Sequence, residues 1–307
     1  MAEKNGANGR LTALMALRLA APDTWAASVL PVVFAAALAF SQGAQADLPL
    51  LLSLAAASVL MQAAVNTFND YSDFIKGTDT LANSPDAADA VLLYAAPAPK
   101  KVLILGAFYL ALAALAGIPA VLKCGWKPLA IGAFGGVCVL IYSFGKKPLS
   151  YLPLGELVSG FVMGGLIPLA VYGVLTGDFT KRILIISLPL IFGIGLIMMT
   201  NNTCDIARDT AAGRRTFAVL IGQHRALICY RALITVWLLL PLAFLGAAAG
   251  LIYLLALLSF SGRIGAQLKL SLSPEVRGRA MSGIVFLNSA CAIGYTAALI
   301  LHVGCGI

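Results

Sequence analysis

Two stretches of this chain concentrate asparagine and aspartate at helical spacing. One reads Asn66-Thr67-Phe68-Asn69-Asp70-Tyr71-Ser72-Asp73, with Asp79 soon after. The other reads Asn201-Asn202-Thr203-Cys204-Asp205-Ile206-Ala207-Arg208-Asp209. The chain has only 13 acidic residues, and five of them lie here. If each preceding helix continues through its motif, Asn66, Asp70 and Asp73 fall at i, i+4 and i+7, and Asn201, Asp205 and Asp209 at i, i+4 and i+8, each set along one face. Carboxylates so placed repel one another unless a cation sits between them. Hard oxygen donors of this kind suit Mg²⁺, which keeps several waters and shares phosphate oxygens. The expectation is that Asp70, Asp73, Asp205 and Asp209, with Asn66, hold Mg²⁺ bridging a diphosphate, and that Asn69, Asp79, Asn201 and Asn202 contact the substrate. Solvated helix ends are the competing reading, and two matched stripes at equivalent helix ends argue against it.

Basic residues stand near these motifs. Arg214 and Arg215 follow the second, Lys146 and Lys147 close the segment that Tyr142 opens, and Arg18 precedes the first apolar run. Any of these cations could neutralise residual phosphate charge; charge anchoring at the membrane surface is the alternative use. Glu156, in Pro153-Leu154-Gly155-Glu156, lies inside an apolar segment, where a carboxylate facing lipid would cost about 3 kcal/mol. It should therefore face the interior, near an acceptor substrate or in a packing hydrogen bond. Asp23 follows Pro22 and reads as a helix cap.

The elements that must position these groups are membrane helices. The chain has 307 residues, 60% apolar and 11% charged, with a mean hydropathy of +0.93. Soluble domains carry about 25% charged residues. Apolar runs over 20–40, 48–68, 102–121, 128–144, 152–176, 183–202, 227–244, 246–260 and 282–303 each approach the roughly 20 residues that cross a bilayer. The expected fold is an all-α membrane protein, a single bundle of about nine transmembrane helices under Asp-rich cytoplasmic loops, one polytopic domain over 1–307 with a short cytoplasmic tail at 1–17. The split within 227–260 rests on Gly246 and Gly250. With the N-terminus in the cytoplasm, only Lys123, Lys127, Lys181 and Arg182 of the 21 basic residues fall outside, leaving 17 on the cytoplasmic side. That is a positive-inside bias, and it accounts for most of the +8 charge without invoking nucleic acid. Three polar loops, 69–101, 203–226 and 261–280, share that side, and the motifs recur at corresponding helix ends, hinting at a duplicated four-helix unit. Lys4 and Arg10 before Leu11–Leu17 faintly resemble a signal peptide, but Arg18, Pro22 and Asp23 interrupt the run, so a retained first span is expected. The six cysteines show no C-x-x-C spacing and read as small buried hydrophobes. No zinc constellation, heme motif or glycine-rich phosphate loop is present in the sequence.

The residues also carry a resemblance. Asn-Asp-Tyr-Ser-Asp-Phe-Ile-Lys-Gly-Thr-Asp at 69–79 resembles the first Asp motif of the UbiA superfamily of intramembrane prenyltransferases, in particular its 1,4-dihydroxy-2-naphthoate polyprenyltransferases of the menaquinone pathway. The segments at 201–217, 148–156 and 18–32 are similar to that branch's second motif with its basic tail, the start of its fifth span and its first span. Two departures stand out: the loop 83–89 lacks the basic residue usual there, and Gly164-Gly165 replaces a frequent Gly-Pro. The resemblance implies Mg²⁺-dependent transfer of a polyprenyl group from polyprenyl diphosphate to an aromatic acceptor, with loss of CO₂ if that acceptor is dihydroxynaphthoate, at the cytoplasmic face of the cell inner membrane. It also implies a lipid-embedded protein with no nucleic-acid partner. The other readings are a 4-hydroxybenzoate or other lipid acceptor, and, in another class, a secondary transporter using the acids as a coupling site. Transport sites lie near the midplane, whereas these acids gather at one face.

Overall fold

The computed structural model describes residues 9–80 and 90–304; the expectations placed on Lys4, the loop 83–89 and Cys305 lie outside them. Every regular element among the described residues is a helix. We label those that matter below α1 (Ala13–Leu19), α2 (Ala26–Ser41), α3 (Leu48–Lys76), α4 (Pro99–Cys124), α5 (Trp126–Ser143), α6 (Gly155–Thr176), α7 (Leu188–Cys204), α8 (Ile206–Ala211), α9 (Gln223–Phe244), α10 (Ala247–Ser259), α11 (Ser261–Lys269) and α12 (Arg277–Gly304).

Six helices among the described residues are long and apolar enough to cross a membrane. The count reaches eight when two bent pairs are each taken as one span: Ala13–Thr24 with α2, bent by 57°, and α10 with α11, bent by 61°. α7 is apolar but only 17 residues long, about 26 Å of helix, shorter than a hydrocarbon core of about 30 Å. The expected nine spans are thus met by six to eight, and the chain is a multi-pass membrane protein. The expected split near 246 is present, with α9 ending at Phe244 and α10 starting at Ala247.

α3 shows how sequence becomes position. The Asp47 side chain caps its first turn by accepting from the Leu50 N–H at 3.1 Å, and Gly77 ends it in the left-handed region at φ +70. Its 29 residues extend about 44 Å, longer than the bilayer core, so Asn66–Asp73 ride on its last turns.

Packing between these helices cannot rely on the hydrophobic effect where lipid is equally apolar; it uses small residues and close approach. Gly160 and Gly164 on α6 meet the backbone of Ile191 on α7 so closely that an added Cβ would lie 2.5 Å from the Ile191 carbonyl oxygen and 2.5 Å from its amide nitrogen. The same stretch, Gly160–Leu166, is wound as a π-helix. Elsewhere contacts are made by side chains, as where the Met61 methyl of α3 lies against Gly135 of α5. Of the four buried clusters among the described residues, the two larger lie one around Phe34, Tyr295, Val174 and Ile183, the other around Trp237, Tyr230, Ile284 and Leu287.

Candidate active site

Both motifs end at the same end of the bundle. On α3, Asn69 donates from its amide to Asp73 at 3.2 Å, so the expected i, i+4 pairing is present. The second motif departs from expectation. α7 stops at Cys204, Asp205 (φ −101, ψ 12) interrupts the helix, and Asp209 belongs to the separate α8. The main-chain bonds Asp205 N–H to Asn201 and Asp209 N–H to Asp205 persist at 3.1 and 2.8 Å, so the stripe survives on a broken helix rather than a continuous one.

Arginines join the two motifs. Arg214 pairs with Asp73 of the first and lies 3.6 Å from Asp209 of the second. It can reach both because Gly213, at φ +72, turns the chain back after α8. Arg208 pairs with Asp79 and lies 3.9 Å from Asp205. Arg277, at the start of α12, donates to Asp205 at 3.3 Å and to the Asn201 side-chain Oδ1 at 2.7 Å. Asn202 donates to Glu156 at 2.9 Å, so Glu156 does face the interior. Tyr142 stands nearby, its hydroxyl 3.6 Å from the Met198 sulfur. Lys76 donates to the Ser143 carbonyl at 3.0 Å, and both Lys76 and Arg214 lie over the Tyr151 ring, at 4.8 and 5.1 Å. Asp70 and Asp79 line a narrow crevice with residues 90–93.

The electrostatics follow from burial. Asp209 is 3% exposed, and desolvation pushes its pKa up to about 6 against the pull of Arg214. Burial raises Asp79 likewise, opposed by Arg208. For Arg214, burial alone would lower the pKa, but Asp73 and then Asp209 outweigh it and hold the guanidinium charged. Even so, the buried Nε–H groups of Arg208 and Arg214 find no hydrogen-bond acceptor among the described residues. A buried donor without a partner costs about 1–3 kcal/mol, so the cluster has room for added acceptor oxygens.

Among the described residues, no three His, Cys, Asp or Glu side chains converge tightly enough to hold a cation on their own. Guanidinium groups of Arg208 and Arg214 stand between the carboxylates of the two motifs. Arg18, Lys146, Lys147 and Arg215 are exposed at this end, outside the ion-paired cluster. Sequence reasoning missed Arg208, Arg277 and Tyr151. Arg208 sits between Asp205 and Asp209 and was open to notice, whereas Arg277 is 72 residues from its partner and is brought there only by the fold.

Residues 28–290 match the UbiA prenyltransferase family. The chain is 33% identical over 209 residues to 1,4-dihydroxy-2-naphthoate octaprenyltransferase of Bacillus subtilis (strain 168), covering 68% of this chain and 66% of that protein. It is 30% identical over 225 residues to UbiA prenyltransferase domain-containing protein 1 of Xenopus tropicalis, covering 73% and 63%. The matched stretch thus spans just under two thirds of these relatives' own length. Among solved structures, the fold is similar to a UbiA homolog from Aeropyrum pernix K1 (TM-score 0.64, 19% identity, 90% of this chain and 97% of that one). It is also similar to a UbiA homolog from Archaeoglobus fulgidus bound to DMAPP and Mg²⁺ (TM-score 0.58, 16% identity, 92% and 99%).

Proposed function

We propose that this chain, which belongs to the UbiA prenyltransferase family, transfers a polyprenyl group from its diphosphate to an aromatic acceptor of the 1,4-dihydroxy-2-naphthoate type. The observation that carries the reading is the pair of buried Nε–H groups of Arg208 and Arg214, which find no acceptor among the described residues, amid Asp73, Asp79, Asp205 and Asp209. Such a cluster suits a cation that arrives with its own phosphate oxygens better than a bare ion. Carboxylates take the metal side of the complex, and guanidinium N–H groups take the oxygens. The donor set therefore fits Mg²⁺–diphosphate, with Asp70, Asp73, Asp205, Asp209 and Asn66 on the metal, which supplies charge neutralisation of the departing diphosphate.

The chain's own residues account for the rest. Arg208, Arg214 and Lys76 stabilise negative charge as the bond between prenyl C1 and oxygen breaks and its electron pair leaves with the diphosphate. The apolar interior keeps water from the allylic cation. Glu156, held by Asn202, and Tyr142 face the acceptor, whose ring carbon forms the new carbon–carbon bond. Where that carbon bears a carboxylate, CO₂ departs and its bonding pair returns to the ring. The Bacillus relative's name supports this acceptor. The basic-residue bias supports an inner-membrane protein with nine spans and its site facing the cytoplasm.

The test incubates purified protein with Mg²⁺, radiolabelled prenyl diphosphate and a panel of acceptors. Label should enter dihydroxynaphthoate. Label entering only 4-hydroxybenzoate would overturn the acceptor, and no transfer to any acceptor would overturn the activity.

A further inference from the structure

The chain breaks between α1 and α2, at residues 20–25. Ala21 sits at φ +47 and ψ +70 ahead of Pro22, a left-handed conformation that alanine seldom adopts. The break leaves the Ala20 and Thr24 carbonyls to side chains, while the Ala21 carbonyl accepts from the Thr24 N–H at 3.0 Å and from a side chain as well. The Trp25 indole N–H donates to Ala20 at 2.9 Å, the Thr24 hydroxyl to Ala21 at 2.8 Å, and the Gln62 amide to Thr24 at 2.8 Å. The Asn66 amide then donates to Ala20 at 3.2 Å and to the Thr24 hydroxyl oxygen at 3.1 Å. Gln62 donates to that same hydroxyl at 2.8 Å and accepts from Ser28.

The chemistry of these bonds orients the amides. The Thr24 hydroxyl has one proton, committed to Ala21, so toward Gln62 and Asn66 it can only accept. A backbone carbonyl likewise only accepts. Asn66 must therefore turn its NH₂ toward the break, and its Oδ1 takes no hydrogen bond from any described residue. One turn farther along α3 lies Asp70.

We propose that Thr24 and Gln62 are positioning residues that orient Asn66, so that its carbonyl oxygen is presented to the cation accompanying the diphosphate. The strained break is the part of the fold that makes this possible, because only a broken helix offers carbonyls and a side-chain hydroxyl at that place. The inference rests on the metal–diphosphate reading above and adds the device that aims one of its ligands. Groups that orient metal ligands typically change affinity by about 10–100-fold when removed.

The experiment measures Mn²⁺ affinity by electron paramagnetic resonance on the purified full-length protein, with inorganic pyrophosphate held at saturation. Thr24→Val, nearly isosteric but without the hydroxyl, should weaken Mn²⁺ about tenfold, and Thr24→Ser should restore it. In an Asn66→Ala background, Thr24→Val should change nothing further, since the effect runs through Asn66. Gln62→Met provides an independent loss should Thr24→Val fail to fold. Native affinity in Thr24→Val, or losses that add to that of Asn66→Ala, would overturn the relay. Asp205→Ala separates the two readings. If it leaves Mn²⁺ affinity untouched, the metal–diphosphate site fails; if it abolishes binding while Thr24→Val and Gln62→Met do not, only the relay fails.

Discussion

The two motifs are spelled alike and built differently. In the first, Asn66 spends its NH₂ on the chain break and keeps its oxygen, and Asp70 and Asp73 ride one unbroken helix. In the second, Asn201 spends its oxygen on Arg277, the helix breaks at Asp205, and Asp205 and Asp209 are both approached by arginines. A shared N-x-x-x-D spacing therefore does not make equivalent ligand sets. Arginine reaches both motifs, since Asp73 of the first is paired with Arg214 as Asp209 of the second is. The difference lies in the continuity of the helix and in the asparagine, whose side-chain oxygen is spent on Arg277 in the second motif and not in the first.

That contrast can be broken or sharpened by substitution. The largest effect is expected from Asp70→Ala and Asp205→Ala, one from each motif. Either should lower turnover at saturating Mg²⁺ by at least about 100-fold in the radiolabel assay, and near-normal rates would remove both motifs from the site. Arg214→Ala leaves Asp73 and Asp209 buried without their shared partner, side chains 5% and 4% exposed. It should cost about 3 kcal/mol, read as a lower midpoint of thermal unfolding in detergent. The two asparagines then offer a direct comparison. Asn66→Asp sets a carboxylate against the Ala20 carbonyl and should destabilise by about 2 kcal/mol, whereas Asn201→Asp gains an ion pair with Arg277 and should stay within about 0.5 kcal/mol. Equal losses would erase the asymmetry. Arg277→Gln should raise KM for the prenyl diphosphate about tenfold, the worth of one charge-assisted hydrogen bond, with kcat changed less. The smallest change, Ala21→Gly, relieves the left-handed strain and should stabilise by about 1 kcal/mol; a loss instead would mean that the methyl group, not the backbone, matters there.

Much of this was legible before any coordinates. Charge scarcity and run length gave the membrane class, and the asparagine–aspartate spacing gave the residues that gather at one end. The cost of a lone carboxylate facing lipid also placed Glu156 inward. What stayed hidden depends on distance along the chain. The Arg277–Asp205 pair spans 72 residues, and the bond between Thr24 and Asn66 spans 42. No local pattern encodes either. The break at Asp205 was missed because nothing in Cys204-Asp205-Ile206 forbids helix; tertiary packing overrode local propensity. Arg18, Lys146, Lys147 and Arg215 were drawn toward the site by proximity in sequence, yet they remain exposed while Arg208 and Arg277 make the ion pairs.

The glycine seam between α6 and α7 has a mechanical consequence. Gly160 and Gly164 press on main-chain atoms of Ile191, not on its rotatable side chain. A side-chain contact can slide by changing rotamer, but a backbone-on-backbone contact can only hold or separate as a whole. α6 and α7 therefore act as a stiff keel carrying Glu156 and Asn202 at one end. Any parting of the bundle falls to seams that can yield, such as the one where the flexible Met61 lies against Gly135.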